Sequence, residues 1–140
     1  MSATVDRTRF VLDSFALFAH FEDEPDAAVV RDVLTRAQAG QLDLYLSVIN
    51  LGEAIYVTER ERGLPMAERL IAAVDALPIQ VVDADRQRTL AAAHLKAQFS
   101  IAYADAFALS LAIETKATLL TGDPEFLSVG SIVPILWLRR

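Results

Sequence analysis

Four carboxylates in this sequence occupy positions where a solvated acid is not expected. The chain carries 19 acidic residues, and Glu22, Asp23, Glu24, Glu59 and Glu61 fall in polar stretches that suit a solvated side chain. Asp13 instead follows the apolar run Phe10-Val11-Leu12, and Asp123 follows Thr118-Leu119-Leu120 within LLTGDPEF. Each of these two can be read as a helix N-cap, because an aspartate oxygen accepts from free backbone N–H groups and Pro124 suits the first helical position. Glu53 and Asp105 are harder to place as ordinary acids. On a helix Glu53 neighbours Ile49, Tyr56 and Val57, and Asp105 neighbours Ile101, Ala108 and Leu109. Those patterns put both carboxylates on faces meant for the core.

An ionised carboxylate buried alone costs many kcal/mol, so it must be protonated, paired or bound to a cation. The helix macrodipole eases Asp105 by only about 0.3–1 kcal/mol. Pairing with arginine is the structural alternative, but the apolar segment 101–116 contains no arginine and a single lysine, Lys116, at its end. Two like charges about 4 Å apart repel by roughly 4 kcal/mol at an effective dielectric near 20. Four carboxylates gathered together therefore call for a cation between them. Ligation by carboxylates alone suits a hard ion, Mg²⁺ or Mn²⁺. Such an ion acidifies a bound water and stabilises in-line displacement at phosphorus, so phosphodiester hydrolysis is the natural reaction class.

The elements that must position these acids alternate along the chain. Strands are expected at Phe10-Val11-Leu12, Leu42–Leu46, Ile79–Val82, Thr118–Leu120 and Val133–Leu136. Helices are expected at Ser14–Phe21, at Pro25–Ala39 ended by Gly40, and from a Ser47 cap to Gly63. Further helices are expected from Pro65 to Pro78 with Met66, Leu70, Ala73 and Val74 on one face, at Ala84–Gln98, and from a Ser100 cap through IAYADAFALSLAIETK. A short helical turn is expected at Pro124–Leu127. Strands separated by helices imply parallel pairing with right-handed crossovers, hence a single-domain α/β/α sandwich over residues 1–140. Sites in such sheets form outside the carboxyl ends of strands at a topological switch point, which is where Asp13 and Asp123 fall.

Composition bounds the reading. At 140 residues and 54% hydrophobic, the chain suits one domain with a sizeable core. The absence of cysteine removes disulfides, zinc-thiolate sites and thiol nucleophiles. No apolar run is long enough to suggest a membrane span. The opening MSATVDRTRF lacks a basic-then-apolar leader layout, so a cytoplasmic protein is expected. A net charge of −6 argues against a nucleic-acid partner on bulk electrostatics. A cation held by several acids would reverse the local field that a phosphate meets.

The matching pieces FVLDSFALFAHF, SVINLGEAIYV, SIAYADAFALSLA and LLTGDPEF, taken in this order and spacing, resemble the PIN domain. In particular they resemble the VapC-type ribonuclease toxins of bacterial toxin–antitoxin pairs, over almost the whole chain. The resemblance implies a parallel five-stranded sheet flanked by helices, with the acids around a Mg²⁺ or Mn²⁺ site. It implies RNA endonuclease activity, a cognate VapB-type antitoxin whose C-terminal segment covers the site, and a homodimer. Carried onto this sequence, Asp13, Glu53, Asp105 and Asp123 become metal and catalytic residues. Ser14 and Thr121 match hydroxyl positions beside those acids, and Asn50 lies one helical turn before Glu53. These three are candidates to orient carboxylates or water. Where many relatives have threonine after the first acid, this chain has Ser14, which keeps the hydroxyl.

Two other readings stay open at this level. One is a PIN-type nuclease in RNA processing or DNA repair, and the other is a non-catalytic PIN-like binding module. His20 and His94 lie on different helices and read as surface or rim residues. The run ERER at 59–62 reads as a solvated helix face, and Trp137 as packing. The stripe of Phe15 and Phe18 and the helix from Pro65 read as core or as a groove for a partner helix.

Overall fold

In a computed structural model, described over residues 7–139, five strands alternate with helices. The order is β1 (Thr8–Leu12), α1 (Ser14–Phe21), α2 (Ala27–Gln38), β2 (Leu42–Ser47), α3 (Val48–Arg62), α4 (Leu64–Ala76), β3 (Gln80–Val82), α5 (Arg86–Gln98), α6 (Tyr103–Thr115), β4 (Thr118–Thr121), a 3-10 helix (Pro124–Val129) and β5 (Ile135–Trp137). All strand pairings are parallel and the sheet order is β3-β2-β1-β4-β5. The expected three-layer sandwich with a central parallel sheet is the observed one. The segment 1–6, which carries much of the leader reading, lies outside the described residues. Among those residues, no helix is long and apolar enough to cross a membrane.

Period-two alternation splits the strands between two cores. Phe10, Leu12, Leu42, Leu44, Leu46 and Leu120 pack with Leu17, Val30, Val33, Leu70 and Val74 from α1, α2 and α4. Val11 and Leu119 point the other way, onto Ala92 of α5 and Ala106, Phe107 and Leu109 of α6. With both faces covered, the central strands read as continuous apolar runs. Each fully buried leucine contributes about 1.5–3 kcal/mol.

Several boundaries differ from the sequence reading, each for a local reason. Ser100 caps nothing: α6 begins at Tyr103, after an Ala102 cap that has no side-chain bond. Ile101 is drawn into the second core at 1% exposure, and its N–H bonds the Phe99 carbonyl, which holds Phe99–Ile101 outside the helix. Ile101 is therefore not a helical neighbour of Asp105. Helix α2 starts at Ala27 rather than Pro25. Helix α5 starts at Arg86, where Asp85 accepts from the Arg88 N–H at 2.9 Å. Strand β5 begins at Ile135 rather than Val133, because Pro134 has no N–H to give to a ladder and offers only its carbonyl, to Leu119.

Candidate metal centre

Successive strands run outward from β1 to β2 and β3, then cross to β4 and β5 on its other side. The switch point therefore lies between β1 and β4. The register Leu12↔Leu120 makes Asp13 and Thr121 the next residues at the carboxyl ends of those two strands. Thr121 Oγ1 donates to Asp13 Oδ2 and accepts the Asp123 N–H at 3.0 Å. Asp13 Oδ1 accepts the Ala16 N–H at 2.9 Å and caps α1. Asp123 Oδ1 accepts the Glu125 N–H at 2.9 Å and caps the 3-10 helix. The capping reading thus holds for both residues, and it does not compete with a site. Each cap leaves a second oxygen at the switch point.

Helix α6 is buried on every side from Asp105 to Ala112, as expected of a helix apolar all round. It delivers Asp105, 5% exposed, in its first turn. Carboxylate oxygens of Asp105, Asp123 and Glu125 lie within 4.8 Å of one another. Asp13 and Glu53 fall outside that tight group. Glu125 was not foreseen from sequence. It is exposed and reads as a solvated acid, and its only signal is its place two residues after Asp123 in TGDPEF.

Burial pushes the Asp105 carboxyl up to about 9, helped by its hydrogen bond to Glu125 and by the charges of Asp123, Asp13 and Glu125. Burial likewise pushes Asp13 up to about 7, against the lowering effect of its bonds from Thr121 and Ala16, with the Asp123 charge adding to the rise. The charges of these acids are thus felt across the switch point. None of the ion pairs among the described residues includes any of them. The donor set is oxygen only and crowded, with no ion-paired cation among the described residues, and it fits a hard divalent ion. Asp105, Asp123 and Glu125 are the residues placed to hold one, with Asp13 beside them.

Glu53 corrects the sequence reading. The buried residues of α3 are Asn50 and Ala54; Glu53 is half-buried and Tyr56 is 50% exposed. The helix packs its Asn50–Ala54 line inward and leaves Glu53 at the margin. There it accepts from the hydroxyl of Ser14, the residue after Asp13. Asn50 is fully buried, and its Nδ2 donates to the Ala104 carbonyl at 3.1 Å, one residue before Asp105. Its Oδ1 has no partner among the described residues, so one acceptor stands free where α3 meets the start of α6.

The remaining candidates sort simply. His94 bonds Gln98 on an exposed face, and His20 packs edge-on against Phe21. Residues 59–62 are exposed, as a solvated face should be. Trp137 is 40% exposed on the edge strand β5, so it is only partly packed. Phe15 and Phe18 are half-buried and line a groove of about 390 Å³ with Val57, rimmed by Glu22, Glu24 and Glu61.

A family model for the PIN domain matches residues 10–132. No curated protein matches the chain in sequence. Among solved structures, the chain is similar to VapBC2 from Rickettsia felis bound to a promoter DNA fragment, at 16% identity and a TM-score of 0.72, covering 92% of this chain and 98% of that one. It is similar to DNA-bound VapBC from Salmonella typhimurium, at 18% identity and a TM-score of 0.72, covering 92% and 97%. It is also similar to VapC20 from Mycobacterium tuberculosis, described as a sarcin-ricin loop cleaving toxin, at 16% identity and a TM-score of 0.67, covering 88% and 95%.

Proposed function

The chain belongs to the PIN domain family, and on that premise we propose that it is a Mg²⁺- or Mn²⁺-dependent endoribonuclease acting as the toxin of a type II toxin–antitoxin pair. The observation that carries the reading is the gathering of Asp105, Asp123 and Glu125 at the β1/β4 switch point, with the charge of Asp13 felt beside them and no ion-pair partner among the described residues. The similar structures named as VapBC and VapC toxins support the toxin role and a VapB-type antitoxin partner.

A divalent ion bound there supplies an acidified water and stabilises charge on a phosphodiester. The chain's own residues prepare the place. Asp105, Asp123 and Glu125 offer the carboxylates that hold the ion, and Asp13 completes the negative wall. Thr121 fixes the second oxygen of Asp13 relative to the Asp123 backbone. Ser14 anchors Glu53 at the margin, and we read the Glu53 carboxylate as the group that would take a proton from a water. Asn50 holds the carbonyl before Asp105, and so fixes the first turn of α6. With Asp105, Asp123 and Glu125 holding a divalent ion, the acidic pocket would receive phosphate despite the net charge of −6. The apolar groove with its acidic rim suits a basic amphipathic antitoxin segment. The active form is read as a homodimer.

The test is cleavage of total cellular RNA by the purified, antitoxin-free protein with Mn²⁺ and with a chelator, followed by mapping of the new ends. Metal-dependent cuts at defined sites, absent in Asp13→Asn and Asp105→Asn, are expected. Equal cleavage by both variants, or cleavage in chelator, would overturn the reading.

A further inference from the structure

Asp26 stands outside the metal centre, yet its carboxylate takes three hydrogen bonds from one residue 113 positions away. Arg139 donates from its backbone N–H at 2.6 Å, from Nε at 3.0 Å and from a terminal guanidinium nitrogen at 2.8 Å. The Asp26 side chain is 12% exposed and that of Arg139 is 78% exposed. Asp26 occupies the N-cap position of α2 but gives that helix no side-chain cap, so its oxygens are committed to Arg139. The guanidinium holds the carboxyl below its ordinary range.

The residue before Arg139 lies against the metal centre. The Leu138 N–H donates to the Thr121 carbonyl at 2.8 Å, which continues the pairing of Thr121 with Trp137. Leu138 is buried in the first core with Leu12 and Leu17. Its carbonyl runs so close to Gly122 that a Cβ there would lie 2.7 Å from the oxygen, and 2.2 Å and 2.5 Å from Cε1 and Cζ of Phe15. Gly122 is the residue between Thr121 and Asp123. The Phe15 ring of α1 and the Leu138 carbonyl after β5 together fill the space that a side chain at Gly122 would take.

These contacts close a ring. From Asp13 the chain runs through α1 and its following turn to Asp26, crosses by the ion pair to Arg139 and Leu138, and reaches Gly122 and Thr121. The Thr121 hydroxyl then returns to Asp13. We propose that the Asp26–Arg139 pair is a latch that positions Asp123 and Glu125 against Asp13 and Asp105, so that ion affinity depends on a pair of residues that are not ligands. The inference rests on the metal-centre reading above. Both are positioning residues. The guanidinium is exposed but the carboxylate it holds is nearly buried, so loss of the pair is felt at Asp26 and along the segment it ties down, Thr121-Gly122-Asp123.

The test titrates Mn²⁺ alone into full-length wild type, Arg139→Ala, Asp26→Asn, the double variant and Arg139→Lys, with the electron paramagnetic resonance spectrum of the bound ion as a second readout. A control, Arg7→Ala, removes the pair with Asp43 that spans 3.1 Å beside the start of β1. The expected result is a Kd about tenfold weaker in each single latch variant, the scale of effect that outer partners have on metal affinity. The double variant should be no weaker than the singles, Arg139→Lys intermediate, and Arg7→Ala unchanged. A Kd within twofold of wild type in Arg139→Ala, with an unaltered spectrum, would overturn the latch while leaving the metal centre standing. Equal weakening in Arg7→Ala would overturn it too, by exposing a general loss of stability. Failure of the wild type itself to bind Mn²⁺ would remove the metal-centre reading, and the latch with it.

Discussion

Thr121 and Asp13 end adjacent parallel strands in matched register, and one threonine hydroxyl serves both the aspartate and the backbone of Asp123. It donates to Asp13 Oδ2 and accepts the Asp123 N–H at 3.0 Å. A single fully buried oxygen therefore sets the spacing between the acids that follow β1 and β4.

Thr121→Val keeps the shape and removes that oxygen. Asp13 loses its donor and the Asp123 N–H its acceptor, so a loss of about 1–3 kcal/mol is expected in urea denaturation. Thr121→Ser should recover most of it. Unchanged stability in the valine variant would contradict the bridging role.

The raised carboxyls make the metal-free protein sensitive to pH in a definite direction. Asp13 and Asp105 rise from 3.8 to about 7 and about 9. Between about pH 4 and pH 9 the folded state therefore holds protons that the unfolded chain has released. Stability is then full at the acidic end of this window and falls as pH rises through it. Melting temperature measured in chelator should decline across that range, and Mn²⁺ should flatten the decline by replacing the protons. A melting temperature in chelator that climbs from pH 5 to pH 9 would be the wrong sign.

Asp105→Asn should separate stability from activity. At pH 8 the folded, metal-free protein must hold on Asp105 a proton that the unfolded chain has released, and asparagine removes that cost. A higher melting temperature than wild type is expected at pH 8 in chelator, together with RNA cleavage reduced about a hundredfold or more. Cleavage at the wild-type rate would exclude Asp105 from the site.

Glu125→Gln tests the acid that sequence reading missed. Loss of its charge should weaken Mn²⁺ binding about tenfold in calorimetry. It should also let Asp105 ionise at lower pH, because the Glu125 hydrogen bond and charge contribute to its rise. In chelator, the decline of melting temperature should then finish at lower pH than in wild type. Wild-type affinity and an unshifted profile would place Glu125 outside the centre.

The legibility of the site varied with the range of the forces involved. Asp105 could be read because eight consecutive buried residues, Asp105 to Ala112, leave no polar face to receive a carboxylate. Asp13 and Asp123 could be read because each follows an apolar strand and each has a cap to make. The sequence neighbours of Glu53 point it at the core, but α3 buries Asn50 and Ala54 and turns Tyr56 outward. The neighbours of Glu53 alone do not say which side of a weakly amphipathic helix meets the sheet. Ser100 looks like a cap because it precedes an apolar run, but Ile101 is buried in the core ahead of the helix, which begins at Tyr103.

What the sequence determined by itself is short-range: strand and helix alternation, apolar runs that demand burial, caps, and acids whose desolvation needs an answer. These follow from chain geometry over one or two turns, where neighbours in sequence are neighbours in space. Which acids meet was decided by the tertiary structure. The sheet order puts β4 beside β1, and so brings Thr121 to Asp13 across 108 residues and Arg139 to Asp26 across 113. That order depends on both sheet faces being covered at once, a condition that no local window of the sequence contains.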